Sequence, residues 1–242
     1  MIYLYLSLAF IAGYLIGNIN FARIFSWVFA KKDITTVGSK NPGTMNMLRT
    51  RGFGEALLTL IFEAIKSGAP AIGGYFLFEH LFMGYGNWAF FLIAFGAIVG
   101  HCFPVFYKFK GGKGVACTFG MFVFHPNLWW ISLIVFAICF VLFLFIDYGF
   151  IISLTFILTM TITATCIFTI YSFPFWLALV AIMWVNFLLV LFMHRGNIKR
   201  LVNGTENKVH FREKVFKRKK KAHESMAVAS DDNTPLGEEK SE

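Results

Sequence analysis

Phe106-Tyr107-Lys108-Phe109-Lys110-Gly111-Gly112-Lys113-Gly114 is the stretch that decides how this chain is read. It places three lysines and three glycines between two apolar stretches, 88–106 before it and 115–193 after it. A lysine at the centre of a lipid-embedded helix costs roughly 2.5–3.5 kcal/mol. The run therefore belongs at a membrane edge or in a wet cavity. Its glycines let backbone N–H groups approach a ligand closely, and its lysines supply cationic donors. Together they read as a phosphate site at a membrane surface.

Working outward, composition places the chain in a membrane. Apolar residues make up 57% of the 242 and only 14% are charged. Between Gly114 and Met193 the sole formal charge is Asp147. A soluble domain of this size cannot hide that much apolar surface, whereas a bundle of membrane helices can. The 31 phenylalanines read as lipid-soluble side chains standing in for leucine. Cys102, Cys117, Cys139 and Cys166 are spaced for neither a metal knuckle nor a disulfide frame, and read as small apolar fillers. The N-terminus is apolar from Met1 without a basic leader, which predicts a retained first helix.

The expected fold is all-α and polytopic. Apolar segments run over 2–30, 56–65 with 70–82, 87–106, 128–146, 150–171 and 174–193, and Glu63, Lys66 and Glu79 interrupt the second. Three groups of basic residues lie between or after them: Lys31 to Arg51, Lys108 to Lys113, and Arg195 onward. The positive-inside rule puts all three in the cytoplasm. An even number of crossings must then separate the second group from the third, which a helix over 114–125 supplies most simply; a re-entrant hairpin over 108–125 is the alternative, and it would leave the tail on the other side. At 1.5 Å per residue the helix covers roughly 18 Å, and must be shielded by protein. The count is seven transmembrane helices, N-terminus outside and C-terminus cytoplasmic. Residues 1–211 form the membrane domain. Residues 212–242 form a basic, then acidic, disordered cytoplasmic tail, whose 212–221 run suits anionic lipid headgroups.

Three polar islands face that common side. The first is Gly38-Ser39-Lys40-Asn41-Pro42-Gly43-Thr44-Met45-Asn46-Met47-Leu48-Arg49. The second runs from Gly100-His101-Cys102-Phe103-Pro104 into the lysine-glycine run. The third is His194-Arg195-Gly196-Asn197-Ile198-Lys199-Arg200-Leu201, ending at Gly204-Thr205-Glu206. His194 and Asn197, three apart at a helix end, share a face. Topogenic anchors need only charge, whereas these islands also carry Gly, His, Asn and Ser. Gly-Gly-Lys-Gly is not a nucleotide P-loop, because Gly114 follows Lys113 where Ser or Thr is required. No His-x4-Asp pair, aspartate metal cluster or Gly-x-Ser-x-Gly elbow is present.

The islands resemble, in order, the three signature motifs of the bacterial acyl-phosphate-dependent glycerol-3-phosphate acyltransferase family (the PlsY family), over about residues 10–215. Gly-His-x-Phe-Pro…Phe-Lys-Gly-Gly-Lys-Gly-Val-Ala from Gly100 to Ala116 carries the resemblance furthest. It implies transfer of a fatty acyl group from acyl phosphate to the 1-hydroxyl of glycerol 3-phosphate, giving lysophosphatidic acid and inorganic phosphate. It also implies a seven-helix fold in the bacterial plasma membrane with its site facing the cytoplasm. By resemblance, Ser39, Arg49, Lys113, His194 and Asn197 are the catalytic set that holds the phosphate of glycerol 3-phosphate. Asn41, Gly43, Thr44, Asn46, Lys110, Gly111, Gly112 and Arg200 bind substrate, and His101 and Glu206 organise their loops. No cofactor, metal or nucleic acid is implied; the partners are the two phosphate substrates and membrane lipid.

Some positions depart from the family pattern. Thr35 stands where the family has arginine after Asp33, and Met45 where it has a threonine. Lys40 replaces a glycine, Glu63 an aspartate, Ser67 a glycine and Met193 an arginine. Thr44 and Lys40 are the candidate replacements for the lost hydroxyl. A catalytically impaired homologue acting as a membrane interaction protein, and a transporter of a phosphorylated solute, are the alternatives. A transporter requires charged groups deep in its spans, and 128–193 offers few.

Overall fold

A computed structural model describes residues 1–172 and 175–209. Over these the chain is helical, with no strand among the described residues. The helices are α1 (Ile2–Gly17), α2 (Phe21–Ala30), α3 (Thr44–Thr50), α4 (Phe53–Leu81), α5 (Gly86–Cys102), α6 (Val115–Val123), α7 (Trp129–Phe143), α8 (Gly149–Ile170), α9 (Trp176–Met193) and α10 (Arg195–Val202). Five segments are long and apolar enough to cross a membrane: 2–30, 53–81, 86–107, 149–170 and 176–193. The basic run at 212–221, the acidic stretch after it and the domain boundary expected at 211 lie outside the described residues.

Two of these segments show how side chains shape the backbone. The apolar segment 2–30 is not one helix, because its asparagines divert the backbone. Asn18 donates its amide to Tyr14 O at 2.7 Å, and Asn20 accepts from the N–H of Arg23 at 2.9 Å, capping α2. Short polar side chains compete with the helical ladder in this way. Conversely, 53–81 is one continuous helix with Pro70 inside it. Its interrupting charges, Glu63 and Lys66, are an ion pair one turn apart, and both are buried against other helices.

The short helix expected over 114–125 is present as α6, nine residues enclosed by its neighbours. Its N-terminal cap, Gly114, lies against Ile98 and Cys102 at one end of α5. His125, just past its other end, stands 3.1 Å from Asn87 Oδ1 and packs on Phe90 and Phe91 at the opposite end. It therefore runs antiparallel along most of α5. A Cβ at Gly120 would fall 2.1 Å from Ala64 O, so α6 lies almost backbone to backbone on α4. Ser67, at a glycine position of the family, donates to Cys117 O at 2.7 Å and adds a polar tie there. Small residues and interhelical hydrogen bonds are the means by which helices associate in lipid.

A larger apolar core lies among α1, α4, α5, α6, α8 and α9. A second, small core joins Ala22, Ile34, Met47, Leu48, Ala56 and Val209. That second core seats the first polar island and the end of the third against the bundle.

Candidate active site

The first island folds around one buried amide. Asn46, 1% exposed, accepts from Ser39 N–H at 2.9 Å and donates to Ile34 O and Val37 O, each at 3.0 Å. Its side chain is thus committed to shaping the loop. Asp33 finds an arginine from elsewhere in the chain: Arg23 of α2 donates to it at 2.8 Å. Asn20 Nδ2 donates to Pro42 O at 3.2 Å, which ties this loop to the α1–α2 break. Gly43, in extended backbone, begins α3, from which Thr44 and Arg49 project. Arg49 also reaches the third island, donating to Asn207 O at 3.0 Å.

The second island turns over His101. Gly112 N–H donates to His101 O at 3.0 Å, and a Cβ on Gly112 would lie 2.1 Å from His101 Nε2. Glycine is thus a steric requirement here. Lys113 follows, and Gly114 takes a left-handed conformation (φ 81°) to open α6. The first N–H groups of α6 have no intrahelical acceptor.

The third island supplies a polar chain. Lys113 Nζ donates to Asn197 Oδ1. Asn197 Nδ2 donates to Glu206 Oε1 at 2.6 Å, and Arg200 Nε donates to Glu206 Oε2 at 2.8 Å. The buried Glu206 carboxylate thereby fixes the orientation of Asn197, which fixes Lys113. Burial pushes the Lys113 ammonium down to about 8, against the pull of Glu206 and with the push of Arg200 and Arg49. Burial, with Lys113 nearby, pushes His194 down to about 4, so its imidazole is neutral at neutral pH. Its Nδ1 lies 2.8 Å from Val190 O, an acceptor only. The ring proton is therefore on Nδ1, and the lone pair is on Nε2.

These groups meet at one cavity of about 360 Å³. Arg49, Lys113, His194 and Asn197 line it, as do Asn41, Gly43 and Thr44. Thr44 Oγ1 is buried there without a hydrogen-bond partner. Beyond the polar end, phenylalanines of α4, α6, α7 and α8 continue the lining between helices. Met45 lines it too, its Cε 2.2 Å from where a Cβ on Gly149 would lie. Ser39, Asn46, Lys110, Gly111, Gly112, Arg200 and Glu206 are not part of the lining. Of these, Lys110 is exposed and its N–H donates to Tyr107 O at 3.1 Å. The N–H of Gly112 is likewise engaged.

Sequence reading missed one group in the wall of this cavity, to whose lining Glu63 and His101 both contribute. Glu63 Oε2 pairs with Lys66 Nζ and stands 3.0 Å from His101 Nδ1. Cys117 Sγ approaches the same oxygen at 3.5 Å. Glu63, His101 and Cys117 have the spacing of a metal site, but the Lys66 ammonium already lies against Glu63 and 3.2 Å from His101 Nδ1. The signal was legible only as two charges one turn apart inside an apolar segment.

Comparisons with known proteins place the chain in a family. The family model described as glycerol-3-phosphate acyltransferase matches residues 7–204. A glycerol-3-phosphate acyltransferase of Rhodopseudomonas palustris (strain BisB5) is 36% identical over 211 residues, 86% of this chain and 98% of that protein. That of Neisseria meningitidis serogroup B is 36% identical over 200 residues, covering 81% and 94%. That of Mycoplasma pneumoniae is 32% identical over 227 residues, covering 82% and 92%. The crystal structure of PlsY (YgiH), an integral membrane glycerol 3-phosphate acyltransferase, in its glycerol 3-phosphate form, superposes with a TM-score of 0.67 at 28% identity, over 84% of this chain and 95% of that one. Its lysophosphatidic acid form gives 0.66 at 27% identity. The chain is an integral membrane acyltransferase of phospholipid biosynthesis, and it belongs to the glycerol-3-phosphate acyltransferase family typified by PlsY.

Proposed function

We propose that the protein transfers a fatty acyl group from acyl phosphate to the 1-hydroxyl of glycerol 3-phosphate, releasing lysophosphatidic acid and inorganic phosphate. One observation carries the reading: a cationic, hydrogen-bonded end and an aromatic, lipid-like end belong to the same cavity. A water-borne phosphate and a lipid-borne chain thus have a common meeting place. Arg49, Lys113 and Asn197, which line the cavity, hold the phosphate of glycerol 3-phosphate. Thr44, Asn41, Gly43 and the first N–H groups of α6 receive the acyl phosphate; a helix N-terminus favours such an anion.

The hydroxyl oxygen attacks the acyl carbonyl carbon, the bond from that carbon to the phosphate oxygen breaks, and inorganic phosphate departs. His194 Nε2 accepts a hydrogen bond from the attacking hydroxyl and orients it. With its pKa pushed down to about 4, it is a weak base. A phosphate oxygen of the substrate therefore takes the proton. Acyl phosphate has a good leaving group, so orientation supplies much of the rate, and fixed cations stabilise the developing charge.

The same reading includes seven crossings, the N-terminus outside, and a cytoplasmic site in the bacterial plasma membrane. The bonds Asn20 to Pro42, Arg49 to Asn207 and Lys113 to Asn197 support it by gathering all three basic islands at one end of the bundle. The test is the purified protein in lipid with palmitoyl phosphate, labelled glycerol 3-phosphate and no coenzyme A. Labelled lysophosphatidic acid is expected. Its absence from a folded, monodisperse sample refutes the donor assignment.

A further inference from the structure

We infer that Lys66 is a positioning residue for this acyl transfer: its buried ammonium joins the α1–α2 break to the loop that carries Lys113. The inference rests on the function proposed above. Lys66 is 5% exposed, yet the catalytic steps use none of its donors. It donates to Gly17 O at 3.2 Å and to Ile19 O at 2.5 Å. Those carbonyls lie at the end of α1 and just past it, where no helical N–H follows in register. Unsatisfied carbonyls at membrane depth cost several kcal/mol each, so the break exists because Lys66 supplies donors.

Its ion-pair partner completes the stitch. Glu63 Oε1 accepts from the N–H of Phe21, the first residue of α2, at 2.8 Å. One turn of α4 therefore satisfies both sides of the break. The break in turn presents Asn20, whose amide holds Pro42 O beside Gly43 and Thr44. On its other side the pair touches His101 Nδ1, at 3.0 Å from Glu63 and 3.2 Å from Lys66. His101 carries Gly112 on its carbonyl, and Lys113 follows directly. The first and second islands are thus referenced to a single ammonium. Misplacing reacting groups by about 1 Å costs on the order of 10²-fold in rate.

The charge is also what keeps this arrangement single-valued. Removing Lys66 alone strands a buried carboxylate, which is strongly destabilising, so the informative variant neutralises both partners. Glu63→Gln/Lys66→Met is compared with Lys66→Arg and with wild type, in lipid, by thermal midpoint and by kinetics with palmitoyl phosphate and glycerol 3-phosphate. In the double variant kcat falls about 100-fold, and kcat/KM for glycerol 3-phosphate falls at least as far because Lys113 shifts with its loop. Lys66→Arg replaces the compact ammonium with a planar, forked head and loses about tenfold in kcat. A kcat near wild type in either variant, folded, overturns the inference. So does a rise in KM at constant kcat, which assigns the cluster to phosphate binding. Should the double variant fail to fold, Lys66→Arg decides by the same two criteria, and its own failure to fold overturns the inference in favour of a purely structural ion pair. A wild type without activity would instead defeat the proposed reaction.

Discussion

Adding one methyl group at Gly112 tests the site from its floor. The new Cβ would lie 2.1, 2.8 and 3.0 Å from three atoms of the His101 ring, where ordinary contact begins at 3.4 Å. His101 is 5% exposed and held by Glu63 and Lys66, so the ring cannot retreat. The loop must therefore rise by about 1 Å or more, stretching the bond from Gly112 N–H to His101 O and carrying Lys113 with it. Overpacking of this kind costs about 1–3 kcal/mol of stability. The displacement of Lys113 from Asn197 is expected to lower kcat/KM for glycerol 3-phosphate by about 10²-fold. Gly73→Ala is the control: a Cβ there meets nothing within 4 Å, and alanine favours the helix by about 0.5–1 kcal/mol. The measurement is labelled glycerol 3-phosphate converted to lysophosphatidic acid by each purified variant, alongside its thermal midpoint. Gly112→Ala within threefold of Gly73→Ala in kcat/KM would falsify the claim that His101 sets the height of the Lys113 loop.

Two further outcomes follow from the same geometry. Lys113, with its pKa lowered to about 8 by burial, is cationic below that pH and neutral above it. Affinity for a phosphate is therefore present at pH 7 and lost as pH rises through about 8. A basic limb in kcat/KM, which reports the free enzyme, should vanish in Lys113→Met; persistence of the limb there assigns it elsewhere. Thr44→Val removes a buried hydroxyl that has no hydrogen-bond partner within the protein. Its thermal midpoint should hold or rise, because an unpaired polar group is lost. Its KM for acyl phosphate should rise about tenfold, and an unchanged KM removes Thr44 from the acyl-phosphate pocket.

Much of the architecture was legible because lipid penalises charge so steeply. Lysines and glycines inside an apolar chain read as marking edges, and charge parity pointed to a helix over 114–125. A helix does form there, α6, pressed onto α4 at Gly120. Other features were not legible. An asparagine side chain reads the same whether it faces a ligand or its own loop. Asn46 turned inward to hold Ile34, Val37 and Ser39, so it does not line the cavity. Glu63 and Lys66 read as interruptions of a helix; their partners, Gly17, Ile19, Phe21 and His101, lie too far along the chain for any local pattern to pair them.

From its residues alone, this chain declares itself a multi-helix membrane protein with three basic, glycine-bearing islands in a known order. Hydropathy and charge act residue by residue, so they survive in the linear text. The tertiary structure decided where the first apolar segment breaks, which island residues reach the cavity, and how Glu206 and Lys66 hold them there. Those outcomes depend on hydrogen bonds between groups distant in sequence, each made because a buried donor or acceptor must find a partner.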